Sequence, residues 1–185
     1  MPDPNLFLGR ALLGLGALGV AAGIFAAGRP AAVCAGLQGF PRSKSPGWIL
    51  AAIGTFWACW VIFHAALGRF EVVKPLIPVL GVATFAAIVY FLDELLAPRA
   101  LGGLLLLVAN PLLNGVRWAD SPLRFAVVLI AYAWVVAGCV LMLHPWAFRR
   151  TCEKFAASAA AVRRIGWGKA LGGAILLAAG GWLLR

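Results

Sequence analysis

The chain reads as an all-α, polytopic transmembrane helix bundle of about six spans. Of its 185 residues, 63% are hydrophobic and 12% are charged, against roughly 45–50% and about 25% in soluble domains. The apolar residues gather in blocks of span length, and the cations lie mostly between those blocks. Residues 1–185 are therefore expected to form a single integral membrane domain, with no stretch left for a separate water-soluble one. The formal net charge of +10 comes from Lys and Arg flanking the spans, where they meet anionic headgroups. A lipid bilayer is the expected partner and nucleic acid is not, because no soluble basic face is available.

Span 1, Leu6–Gly28, has Arg10 ahead of an apolar run, as a leader peptide does. Ala31-Ala32-Val33-Cys34 is a poor lipoprotein cleavage sequence, since Val33 stands where a small residue is needed, so the segment is expected to remain as a span. Gly19, Gly23 and Ala27 give it a small face on which another helix can pack closely. Span 2 is Trp48–Gly68, and span 3, Pro75–Leu92, closes on Asp93 and Glu94. Span 4, Ala100–Leu113, is short and carries Asn110-Pro111 followed by Asn114, which admits a broken helix, a re-entrant segment or a shallow span. Span 5, Phe125–Leu143, ends at His144-Pro145, a bend that lets the chain leave the membrane. Beyond it Phe148, Cys152, Phe155, Ala159 and Val162 recur at steps of four and three. Arg149, Arg150, Lys154, Arg163 and Arg164 occupy the other faces, which describes one interfacial amphipathic helix set among lipid headgroups. Span 6, Ala170–Leu184, is preceded by Gly168 and contains Gly172, a second small face for helix contact.

If all six blocks cross, the basic connection 149–169 is cytoplasmic and both termini lie outside a bacterial inner membrane in this multi-pass arrangement. The halves 1–97 and 98–185 also hint at an inverted three-plus-three repeat. Cys59, His64 and Arg69 follow one another at steps of five, as do Cys139, His144 and Arg149. Pairing spans 1 with 4, 2 with 5 and 3 with 6 keeps chain order. Three spans per half would set the second half upside down relative to the first, as in many channels and secondary transporters.

Polar groups within the spans supply the candidate site. Trp57, Trp60 and His64 share a helix face and suit an aromatic cleft ending in an imidazole. Asp93 sits where protons or cations could gather at a span end, and Asn110 and Asn114 are able to offer amides at membrane depth. These residues with His144 suggest a channel or small-solute transporter whose pathway runs between the halves. A competing class is a noncatalytic structural or assembly subunit, docked through its glycine faces to a second copy, as a homo-oligomer, or to other membrane subunits. A haem or quinone redox subunit is the third. His64 and His144 could ligate a haem only from one side of the membrane, whereas six spans put them near opposite surfaces, so no cofactor is predicted. Cys34, Cys59, Cys139 and Cys152 have no metal-ligand spacing, and no nucleophile–base set or phosphate loop is visible, so neither a metal site nor an enzyme is expected.

Overall fold

The computed structural model describes residues 3–91 and 95–185, and among these every regular element is helical. Eight α-helices follow in order: α1 Pro4–Gly28, α2 Pro30–Gly39, α3 Lys44–His64, α4 Ile77–Phe91, α5 Leu96–Val116, α6 Arg124–Leu143, α7 Pro145–Ala156 and α8 Ala159–Leu183. Short 3-10 segments, Phe40–Arg42 and Gly68–Leu76, lead into α3 and α4. Five stretches are long and apolar enough to cross a membrane: α1, α3, Glu71–Phe91, α5 and α6. The protein is a helical membrane bundle.

The sixth expected span is α8, and it begins eleven residues earlier than the sequence pattern suggested. Glycines together with Arg163, Arg164 and Lys169 dilute its apolar character, yet its 25 residues match α1 in length. The two helices run antiparallel along one long seam. Gly9 meets Leu184, Gly16 meets Gly173 and Leu177, and Gly23 meets Gly166 and Ala170. The glycines recur every seven residues on both sides, as Gly9, Gly16 and Gly23 facing Gly166, Gly173 and Gly180. A seven-residue period keeps one stripe on one partner, and without β-carbons the two backbones themselves come into contact. A β-carbon on Gly173 would lie 2.5 Å from the Val20 nitrogen, and one on Gly16 would lie 2.7 Å from the Leu177 nitrogen.

A second body is built on α5. It pairs antiparallel with α6, where Gly102 and Gly138 face each other's carbonyls, and parallel with α3, where Gly47 abuts Leu96 and Ala97. Among the described residues helix α4 packs mainly along α3, with Gly81 against Cys59. The bodies join at one face through Leu8 and Leu12 of α1, Val116 of α5, Ala119 of the turn after it and Val127 of α6, all at 0% exposure. At this face lie both termini, the start of α6 and the ends of α3 and α5. At the other face α2 and the 3-10 segment after it pack on α7 and the start of α8, through the Phe40–Phe148 edge contact and a cluster of Cys34, Ala156 and Val162.

Three local expectations change. Span 4 is neither short nor broken: α5 starts at Leu96 and continues through Pro111, giving 21 residues or about 31 Å, enough to cross. The single interfacial helix becomes two elements. α7 stops at Ala156, and Ser158 caps α8 by accepting from the Ala161 N–H at 3.3 Å, so Arg163 and Arg164 belong to the first turns of α8. The link after span 1 holds α2, which was not expected. Helix adjacency also fails to follow the exchange of halves, because the counterpart of the α1–α8 seam would be α5 on α4, whereas α5 packs on α6 and α3.

Candidate functional site

Because α4 leans mainly on α3, a groove opens between α3, α4 and α5. It encloses about 690 Å³ and runs from Leu67 and Val73 near the face carrying the termini to Leu96 and Arg99 near the opposite face. Each wall has a glycine facing the space or its rim. Gly54 on α3 leaves room beside Leu104, Gly81 on α4 admits the Cys59 thiol, and a β-carbon on Gly103 of α5 would meet nothing within 4 Å. Among the described residues Thr55, Thr84, the Cys59 thiol and Arg99 are the polar exceptions in an otherwise aliphatic lining, and of these Arg99 alone carries charge. Arg99 stands in the first turn of α5, half-buried, and no hydrogen bond or ion pair engages its guanidinium among the described residues. A second cavity of about 520 Å³ lies between α3 and α4, bordered by Phe56, Trp60, Phe63 and Phe85.

The residues singled out from sequence are distributed around this body rather than gathered in it. On α3, Trp60 stacks on His64 with ring centroids 4.3 Å apart, and the His64 Nδ1–H donates to the Trp60 carbonyl at 2.9 Å. Phe56 extends this ladder at 6.4 Å from Trp60, and Trp57 is half-buried. Asn110 and Asn114 are exposed and bonded to each other, Asn114 Nδ2 donating to Asn110 Oδ1 at 2.9 Å. They continue the α5 stripe of Arg99, Gly103 and Leu107 past the end of the lined groove, since steps of three and four share a helix face. His144 caps the far end of α6 beside Trp146, so the two imidazoles sit at opposite faces of the bundle. Asp93 lies outside the described residues. No described side chain with a polar head is buried.

Of the four glycines expected at helix contacts, Gly23 lies in the α1–α8 seam and Gly19 at its edge, with its β-carbon position 3.0 Å from Gly173 Cα. Gly168 and Gly172 face open space. The sequence pattern does not mark the groove residues Thr55, Thr84, Arg99 and Gly103 as site residues. The available signal was one glycine near the middle of each of three helices.

The cations expected at headgroups are exposed at the face bearing α2 and α7. Arg149 pairs with Glu153 at 3.0 Å, Arg150 lies 5.4 Å over the Trp146 ring, and Lys154, Arg163 and Arg164 project freely on the surface. On the inner side of α7, burial pushes the Cys152 thiol above its ordinary range, and the Glu153 carboxylate adds to the shift. Thiolate is the reactive form, so alkylation of native Cys152 by a water-soluble maleimide should be much slower than in denatured protein, and should accelerate only at a more alkaline pH than an ordinary thiol requires. Peptide mass spectrometry measures both, and equal native and denatured rates would contradict a packed α2–α7 layer.

Compared with known protein families, curated sequences and solved structures, the chain matches none.

Proposed function

We propose that this membrane bundle binds and transfers a membrane-dissolved, chain-like solute, which enters the α3–α4–α5 groove sideways from the bilayer. The volume, depth and aliphatic lining of the groove support this reading most. At about 690 Å³ it falls within the roughly 300–1,000 Å³ range of ligand pockets. A water-dissolved ion needs polar groups to replace its hydration shell, and the groove offers two threonines, a thiol and one guanidinium. A hydrocarbon chain needs none of these. The small-solute transporter expected from sequence thereby becomes one for an apolar solute, with its path along the groove rather than between two halves. Lys and Arg at the α2–α7 face, among them Arg29, Arg99, Arg149, Arg150, Arg163 and Arg164, favour placing that face in the cytoplasm and both termini outside.

Gly103 gives the test, because a β-carbon there meets nothing within 4 Å, so a large side chain can start into the groove without a clash at its base. In proteoliposomes, phosphatidylcholine with a photoactivatable tail should label peptides of α3, α4 and α5 that line the groove. Gly103→Phe should reduce that labelling several-fold, while leaving labels on the outward face of α8 and the thermal midpoint unchanged. Undiminished groove labelling would overturn the reading. So would a second polypeptide that co-purifies in stoichiometric amount and shields the groove, an outcome that fits the assembly-subunit class instead.

A further inference from the structure

Resting on the groove reading above, we propose that its occupant is a phosphate-bearing anionic phospholipid whose headgroup is held by Arg99 and whose tail lies between α3, α4 and α5. Charge is confined to one end. Among the described residues Arg99 is the one charged side chain of the lining, and it stands beside Leu96 where the groove meets the basic face, while the far end at Leu67 and Val73 is aliphatic. Such a site is polarised along the membrane normal as a lipid is, with a cation at headgroup level and hydrocarbon below it.

Two further features favour a phosphate headgroup, above all one with no cation of its own to face Arg99 and the positive end of α5. Arg99 occupies the first turn of α5, a helix of 21 residues whose N-terminal end carries partial positive charge. The planar guanidinium can also meet two phosphate oxygens at once, which the rest of the lining cannot do. No protein carboxylate competes for it among the described residues that line the groove. The surrounding Arg149, Arg150 and Arg163 raise the local concentration of anionic lipid at this face without touching the groove, so they supply attraction and Arg99 supplies the site.

The experiment compares phosphatidylglycerol with phosphatidylcholine, both bearing the same photoactivatable tail, in proteoliposomes containing equal amounts of each. Phosphatidylglycerol should label the groove peptides about tenfold more, a ratio within reach of one charge-assisted contact. Arg99→Gln should bring the ratio close to one while phosphatidylcholine labelling of the groove persists, and Arg99→Lys should restore part of the preference. Lys154→Gln on the exposed side of α7 should leave it intact. Equal labelling by both lipids in the unaltered protein, or a preference that survives Arg99→Gln, would overturn the anionic assignment while leaving the groove reading standing. Absence of groove labelling by either lipid would remove the groove reading as well.

Discussion

Gly173→Leu is expected to have the largest effect of any single substitution, by prying α8 off α1. The β-carbon position at Gly173 lies 2.5 Å from the Val20 nitrogen and 2.7 Å from the Gly16 carbonyl oxygen, so backbone rather than a flexible side chain blocks it. Relief requires moving a whole helix. Because the seam repeats at Gly166 and Gly180, displacement at its centre also opens the contacts one heptad away on either side. Overpacking of an ordinary core costs about 1–3 kcal/mol, and a backbone-to-backbone clash that cannot relax by rotamer change belongs at or above the upper end of that range. The control is the adjacent residue. Gly172 has nothing within 4 Å, so Gly172→Leu should be neutral or raise stability by up to about 1 kcal/mol through helix propensity. Thermal unfolding in detergent, followed by size exclusion, compares the two. A Gly173→Leu midpoint equal to that of Gly172→Leu would refute the close antiparallel seam.

The same pair of residues shows what sequence reading reached and where it stopped. That α1 and the last helix carry small faces was legible, because glycine is conspicuous in apolar segments and its packing role there is general. Which face was used was not. Steps of four pick out Gly168 and Gly172, whereas the seam uses the seven-residue series Gly166, Gly173 and Gly180, and only a partner with the matching series in Gly9, Gly16 and Gly23 makes that choice.

Helix α2 was missed for a different reason. Arg29-Pro30 and His144-Pro145 are equivalent junctions. Both pre-proline residues have φ −129°, with ψ 57° and 60°, and each proline opens a surface helix. Proline pushes its predecessor out of the helical region and is itself well suited to the first helical turn, so both junctions stop one helix and start the next. The bend was read at Pro145, where arginines follow and make the amphipathic pattern plain. At Pro30 the same bend is hidden, because Ala31, Ala32 and Gly36 blur that pattern.

The candidate site was the least legible part, since a cavity is a property of how helices splay. Polar residues drew attention to His64, Asn110, Asn114 and His144, all of which lie on exposed surfaces. The groove is made of residues with no chemical distinction, and it exists because α4 packs mainly on one neighbour.

Leu12→Ala should come next in magnitude, and it probes how the two bodies of the bundle are tied together. Leu12 has no exposed surface and belongs to a cluster with Leu8, Val116, Ala119 and Val127, in which α1 meets α5, α6 and the turn between them. Truncating a fully buried leucine removes its transfer free energy and leaves a cavity, together about 2–5 kcal/mol where the walls cannot close. Closure is restricted here, because α1 is already held at backbone contact by α8 on its other side. The consequence should be directional. Losing this joint loosens the α1–α8 pair from the α3–α5–α6 body, while the groove, walled by α3, α4 and α5, contains no residue of α1 or α8. A lowered thermal midpoint with undiminished photolabelling of the groove is therefore the expected pair of results. If Leu12→Ala abolished groove labelling while the protein remained folded, the groove would depend on the α1–α8 pair, and the division of the bundle into a clamped helix pair and a separate lipid-facing cleft would be wrong.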